Sequence, residues 1–231
     1  MSNKTFVGIV RFTSHQYAND LVSGQVYFGA AENYRHREDG IYMQGIADFN
    51  ESCIACYRSD RDFEPPILKF RIPNSDGSIP DTFFSLKGIK KLDVKMGTDD
   101  HWLSCWYSLF IDEDDIEHDV NNIQEDMDKM RNEFGTTAVF IFKDDIAKFV
   151  EILNEKVDVH YGFVGYTKNH MECNVFKKRY EFKYQKEFRF VISGCPPRSK
   201  ENKLVTLDDS VDGLLKIVNK LMFKDGTVYY K

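Results

Sequence analysis

The sequence predicts an α+β fold: one domain over 1–231, with a central, mainly antiparallel or mixed twisted sheet flanked by short helices. Three observations carry that expectation. Stretches of alternating apolar and polar residues outnumber stretches of helical period, and the two do not alternate regularly, as a doubly wound parallel sheet requires. Aromatic residues are abundant, with 19 Phe, 12 Tyr and 2 Trp in 231 residues, which suits a dense β core. A chain of this length that is 42% hydrophobic and 29% charged has enough apolar surface to bury a substantial core.

Each element follows from the residues in order. Residues 5–12 alternate as a strand. Ser14 stands as an N-cap, and 15–23 read as a short helix with Tyr17, Leu21 and Val22 on one face. Gly24 sits at C′, and 25–28 form the next strand. The polar stretch 29–50, with Tyr34, Arg35, Arg37, Glu38, Asp39 and Asp48, reads as a short helix and a long loop, a form often put to functional use. Residues 52–59, 67–72 (behind Pro65-Pro66), 82–86 and 101–110 read as short strands, with the turn-rich PNSDGSIPD among them. DEDDIEHD at 112–119 is an acid cluster. Its carboxylates suit a hard cation but lack EF-hand spacing, and an acidic helix start answers equally to the positive end of the helix dipole. Val120, Ile123, Met127, Met130 and Phe134 recur at 3-4-3-4 spacing, an amphipathic helix closed by Gly135 and read as a helical insertion around 112–135.

Residues 138–142 are strand-like. A helix opening at Asp144 or Asp145 carries Ile146, Phe149, Val150 and Leu153, and 157–166 form a further strand. The segment 176–192 is long and strongly alternating. The tail offers a polar linker (PPRSKENK), a strand at 204–207, a helix at 209–221 and a terminal strand near 228–229.

Charge and motifs exclude several classes. With 31 Lys+Arg against 37 Asp+Glu the net charge is −6, so a broadly basic nucleic-acid coat is excluded, though a local basic groove is not. No run of 18 apolar residues occurs, and MSNKTFVGIVRF holds too short an apolar stretch for a signal peptide, so no membrane partner and a cytoplasmic location are expected. The five cysteines, Cys53, Cys56, Cys105, Cys173 and Cys195, are odd in number and read as reduced thiols. Cys53 and Cys56 form a C-x-x-C, but a zinc site needs a second ligand pair, and Cys105, Cys173, His101 and His170 are scattered. No metal is therefore expected. The signatures of P-loop NTPases, Rossmann dehydrogenases, zincins and α/β-hydrolases are all missing.

Three constellations carry candidate chemistry. Arg11 and Thr13 lie two apart at the end of the first strand, ahead of a helix N-terminus; a guanidinium, a hydroxyl and helix amides suit a phosphate, and an ordinary capped helix start is the alternative. In HWLSCWYS (101–108), Trp102, Ser104, Trp106 and Ser108 share one face of a strand, where rings with hydroxyls between them suit a flat heterocycle, or simply a core. In 176–192 the aromatic face is expected inside and the charged face outward or in a cleft, with Gln185, Glu187 and Arg189 side by side. That carboxylate, guanidinium and amide suit a ribose hydroxyl or developing positive charge. Composition alone favours a solvated edge-strand face.

In this order the three segments resemble the three-part signature of ADP-ribosyltransferase-like folds: V-R-F-T-S…L-V-S-G-Q-V-Y-F, then W-L-S-C-W-Y-S, then Y-Q-K-E-F-R-F-V-I. The opening looks most like the DNA-modifying ADP-ribosyltransferase toxins. It is also similar to bacterial domains with an L-x-x-G-x-x-Y-F opening, an aromatic-Arg-x-x-Glu stretch and an Asp-x-x-Glu, elements that Tyr34, Arg35, Glu38, Asp48 and Glu51 match. The resemblance spans about a third of the chain. Gln185–Glu187 fits the family's late-strand motif, whereas Arg189, and Arg11 in place of the His of one large subgroup, depart from it.

The resemblance implies an NAD-using enzyme without a metal that transfers ADP-ribose to a nucleic-acid or protein acceptor. It implies Arg11 on a phosphate or ribose of NAD and Glu187 bonding a ribose hydroxyl and stabilising the oxocarbenium-like state as nicotinamide leaves. Tyr27 and Trp106 would bracket the nicotinamide, and Ser104 would orient Glu187. Thr13, Tyr34, Arg35, Gln185 and Arg189 complete the expected cofactor-binding set. The alternative is a non-catalytic nucleotide- or partner-binding protein of bacterial or phage conflict systems on the same scaffold. A third reading, a nucleic-acid effector, would use the basic run Lys177, Lys178, Arg179, Lys183, Lys186 and Arg189.

Overall fold

The computed structural model describes residues 4–35, 48, 51–52, 55–59, 66–94, 99–112, 116–169, 172–208, 211–218, 221–222 and 228–229. Cys53, Arg37, Glu38, Asp39 and His170, and with them the C-x-x-C reading and most of the acid cluster 112–119, lie outside the described residues or side chains.

The chain opens with β1 (Lys4–Thr13), α1 (His15–Val22), β2 (Gln25–Ala30) and α2 (Glu32–Arg35). Four short strands follow, β3 (Ala55–Arg58), β4 (Leu68–Phe70), β5 (Phe84–Leu86) and β6 (Lys91–Val94), then the long β7 (Asp100–Asp112). Next come α3 (Ile116–Phe134), β8 (Thr137–Phe142), α4 (Lys143–Asn154), β9 (His160–Phe163), β10 (Gly165–Thr167) and β11 (Lys177–Arg179). The last strands are β12 (Glu187–Cys195), β13 (Lys203–Thr206), β14 (Lys216–Val218), β15 (Leu221–Met222) and β16 (Val228–Tyr229).

Among the described residues eight strands make the main sheet, in the order β13-β2-β7-β1-β8-β14, with β12 pairing β7 and β9. Every pairing in it is antiparallel. The α+β class with a mainly antiparallel sheet is thus the architecture of the chain. Alternation along β1 and β7 sends side chains to two cores. On one face Ile9, Trp106, Phe188 and Phe190 meet α1 and α4 through Ala18, Leu21, Phe149 and Leu153. On the other, Val10, Phe12, Tyr107 and Leu109 meet the 3-4 stripe of α3 through Ile123, Met127 and Met130. Each such large apolar side chain contributes about 1.5–3 kcal/mol by leaving water.

Local signals place the elements around β1. Ser14 caps α1 by accepting the Tyr17 N–H at 3.4 Å. Gly24 ends α1 with φ +87, and its N–H returns to the Leu21 carbonyl at 3.0 Å. Gly135, with φ +129, lies so close to the Thr13 backbone that a Cβ there would collide with it, so α3 closes tightly on the end of β1.

Three sequence expectations are corrected. Residues 176–192 are not one strand: β11 is followed by a 3-10 helix over Tyr180–Gln185, and β12 begins only at Glu187. The break is local, because Lys186 adopts φ 39, a left-handed value that no strand accommodates. Residues 209–221 do not form a helix in their described part. Gly213 turns the chain at φ +77, and Lys216–Val218 pair with β8 as an edge strand, a role the β-branched Ile217 and Val218 favour. The strand expected over 157–166 is two strands, β9 and β10, which pair with different partners on either side of Val164.

Candidate functional site

The main sheet splits at its centre. On one edge of β7, β1 pairs with Tyr107–Asp112, whereas β2 pairs only with Trp102 and Leu103. Beyond Val10, β1 turns away to stay with β8, pairing Arg11, Phe12 and Thr13 with Val139, Ala138 and Thr137. Ser104, Cys105 and Trp106 are left between the two neighbours. A cleft of about 450 Å³ opens at this gap, a volume suited to a small-molecule ligand.

Arg11 enters the cleft from the β1 side. Its Nη1 donates to Ser104 Oγ and to the Tyr27 carbonyl at 3.4 Å, and its guanidinium lies 5.9 Å from the Trp106 ring centre. Ser104 Oγ also accepts from Trp106 Nε1 at 3.1 Å. Ser104 therefore orients Arg11, where the resemblance implied that it orients the glutamate. Among the described residues no carboxylate lies within ion-pair distance of Arg11. Desolvation lowers its pKa, and nothing negative nearby restores it fully. Thr13, Ser14, Tyr17 and Tyr27 continue the wall, with the Tyr17 and Tyr27 rings edge to face at 5.5 Å. Trp106 is only 1% exposed and packs edge-on against Phe149 and Phe190, so it is the floor of the cleft rather than an open stacking face.

Glu187 enters from the other side, and its neighbours neutralise it. Its Oε2 lies 3.1 Å from Lys178 Nζ and 3.1 Å from Arg189 Nη2. Arg189 is fully buried and grips Glu51 through two parallel bonds of 2.7 and 2.9 Å. Lys178 also donates to Gln185 Oε1 at 2.9 Å and stands 3.8 Å from Glu51. Burial pushes the Glu187 carboxyl up, but Arg189 and Lys178 outweigh it and bring the group down to about 2. The charged face of β12 was expected outward or in a cleft. Glu187 does line the cleft, but the face is buried in a two-cation, two-anion cluster rather than solvated, since a buried charge persists only when paired. Gln185 joins from the 3-10 helix, not from the strand.

Tyr34 stands between the two sides. Its phenol lies so close to β2 that a Cβ at Gly29 would collide with its hydroxyl. Burial raises the Tyr34 pKa, with the charges of Glu51 and Glu187 adding and Arg11 opposing. Its hydroxyl makes no hydrogen bond among the described residues. Arg35 fixes α2: it is 3% exposed, pairs with Asp100 and with Glu32 at 3.0 Å, and donates to the Glu51 carbonyl at 2.6 Å. Asp48 takes Arg179 Nε at 3.1 Å, and its N–H donates to the Tyr34 carbonyl at 2.8 Å. The Tyr-Arg and Asp-x-x-Glu elements thus clamp Asp48 and Glu51 onto β11 and β12.

The structure gathers most of the sequence-predicted residues. Arg11, Thr13, Tyr27 and Tyr34 line the cleft with Trp106, Gln185 and Glu187. Arg35, Ser104 and Arg189 do not line it and act behind it, through the bonds just described. The strands that bear Arg11 and Glu187 do not lie side by side, contrary to the expectation that the two residues sit on adjacent strands: β7 lies between them. Sequence reasoning gave no role to Tyr17, Cys105 or Asn202 in the wall, nor to Glu51 and Lys178 as partners of Glu187. The signal for the last two was the pairing of Asp48 and Glu51 with the basic run 177–189, equal in kind and opposite in sign. Among the described residues, no group of three or more His, Cys, Asp or Glu is placed to hold a metal, and no helix is long and apolar enough to cross a membrane. Comparison with models of protein families, with curated proteins and with solved structures finds no match.

Proposed function

We propose that this chain is a nucleotide-binding protein of ADP-ribosyltransferase-like build, whose cleft takes NAD or a related nucleotide. One observation carries the reading: a half-buried guanidinium, Arg11, faces the cleft with no carboxylate partner among the described residues. Such a cation is an anion receptor, because a buried charge is stabilised by whatever opposite charge arrives. A phosphate on Arg11 would also lie near the Thr13 hydroxyl and the start of α1, whose dipole favours an anion. Tyr17 and Tyr27 offer ring surface to a base, and the Tyr34 hydroxyl is a donor that makes no hydrogen bond among the described residues.

Transfer of ADP-ribose is the second reading, and Glu187 in the same cleft favours it. In that reaction the ribose C1′–nicotinamide bond breaks, neutral nicotinamide leaves, C1′ bonds to a nucleophile of the acceptor, which gives up its proton, and a carboxylate stabilises the electron-poor ribose in between. The charge of Glu187 is already balanced by Lys178 and Arg189, which supports holding the ligand over turning it over.

Incubation with NAD labelled in the nicotinamide ring separates the two. Saturable binding without release of nicotinamide is the expected result. Release that disappears in Glu187→Gln establishes cleavage of the nicotinamide bond instead, and label from adenine-labelled NAD that then stays on a protein or nucleic acid marks transfer. Absence of binding to NAD, ADP-ribose and AMP alike removes both readings.

A further inference from the structure

The carboxamide of Asn202 has its oxygen tied down and its nitrogen open. Oδ1 accepts two hydrogen bonds, from the Ala30 N–H at 3.3 Å and from Asn33 Nδ2 at 2.9 Å. Asn33 Nδ2 also donates to the Lys200 carbonyl at 2.9 Å. A backbone N–H can only donate and a carbonyl can only accept, so both amides are fixed in orientation. The oxygen of Asn202 has two lone pairs, and both are taken. The side chain still offers its NH2 group, which makes no hydrogen bond among the described residues. The oxygen alone ties the start of β13 to β2 and α2, so the nitrogen is surplus to the fold.

Asn202 lines the cleft at its exposed rim. Lys203 pairs with Phe28, so Asn202, one residue earlier, stands opposite Gly29, the glycine against which the Tyr34 hydroxyl packs. Arg11 reaches the same strand two residues before, at the Tyr27 carbonyl. Along this stretch of β2 the cleft thus gathers donors: a guanidinium, a phenol and an amide NH2. A base edge sets donors beside acceptors, and an amide whose oxygen is spent cannot answer a donor. A phosphoryl group presents acceptor oxygens, which match this set.

We propose that Asn202 is a specificity-determining residue of the cleft, whose NH2 group donates to a phosphoryl oxygen of the ligand's diphosphate alongside Arg11. This role rests on the nucleotide reading of the cleft and adds to it a second, uncharged donor. Arg11 supplies attraction to any anion; the oriented amide favours an acceptor oxygen at one place.

Calorimetric titration with two probes, NAD and inorganic pyrophosphate, tests this role. Asn202→Asp keeps the oxygen that Ala30 and Asn33 hold and exchanges the NH2 for an acceptor. Asn202→Ala and Asn202→Leu each remove the NH2 without adding charge, so one variant that fails to fold does not end the test. The wild type is expected to bind both probes. Each variant should bind both at least about tenfold more weakly, as the loss of a hydrogen bond to a charged group implies, with Asn202→Asp the weakest. Asn202→Asp should unfold in urea as the wild type does. Pyrophosphate carries neither base nor ribose. A loss confined to NAD, or a wild type that binds NAD and ignores pyrophosphate, therefore places Asn202 on another part of the nucleotide and overturns the proposal. A loss in Asn202→Asp with wild-type affinity in the two uncharged variants is repulsion without a contact and equally overturns it, as does wild-type affinity in all three. Those outcomes leave the nucleotide reading standing, because the wild type still binds NAD. A wild type that does not bind NAD removes that reading and the role of Asn202 with it.

Discussion

Arg11 and Glu187 line one cleft from opposite faces of the same sheet. The register makes this plain: Val10 pairs with Tyr107, and Tyr107 with Glu187, so those three share a face and Arg11, the next residue along β1, points to the other. The two reach a common space only because β1 leaves β7 before β2 joins it. The phenol of Tyr34 lines the same cleft, near enough to both for their charges to act on it.

The buried charge cluster predicts a sharp contrast between two glutamates. Glu51→Gln leaves Arg189 buried with half its compensation gone, and unfolding in urea should show a loss of about 3–5 kcal/mol. Glu181→Gln removes the carboxylate that Arg179 meets at 2.7 Å, but Glu181 is 56% exposed and water screens the pair, so the loss should stay below about 1 kcal/mol. Similar losses in the two variants would contradict the assignment of stability to the cluster.

Glu187 sets an acid dependence whose sign follows from its surroundings. Burial opposes its ionisation, Arg189 and Lys178 more than offset that, and the folded-state value falls to about 2, below the roughly 4.3 of an unfolded glutamate. A depressed carboxyl contributes stability above the unfolded value and loses it as pH falls toward the folded one. Stability measured by urea titration should therefore decline between about pH 4.5 and pH 2. Glu187→Gln should lie lower at neutral pH and decline less across that window. A variant with the wild-type slope would show that the carboxyl is not held ionised.

The contact between Tyr34 and β2 predicts a coupling. Gly29→Ala puts a methyl where the Tyr34 ring and hydroxyl stand, an overpacking that costs about 1–3 kcal/mol. In a Tyr34→Ala background the same substitution should cost little. A double-mutant cycle on unfolding free energies checks this, and additive effects would place the phenol elsewhere.

Much of the fold was legible in local chemistry. Ser14 and Gly24 mark the ends of α1, the 3-4 spacing of Ile123, Met127 and Met130 marks α3, and HWLSCWYS marks a strand with Ser104 and Trp106 on one side. The segment 176–192 was not legible. Its period of two continues across 180–185, yet the backbone turns there, because the left-handed Lys186 and the docking of Lys178 and Arg179 on Glu51 and Asp48 are tertiary matters. Polar residues alternating with Phe188 and Phe190 suggested a wet face, whereas Glu187 and Arg189 are dry because Glu51 and Lys178 come from distant segments to match them. Alternation shows that two faces differ; it does not show which of them meets water. The split of the sheet lay beyond reach for the same reason, since no residue of β1 or β2 signals that both share one edge of β7.

Calorimetric titration of NAD into the wild type and into Arg11→Ala tests the central reading most directly. A guanidinium-to-phosphate contact of about 1.5–3 kcal/mol predicts binding at least about tenfold weaker in Arg11→Ala, with Arg11→Lys between the two. The opposite result, equal affinity with and without the guanidinium, would remove Arg11 from the site and the nucleotide reading with it.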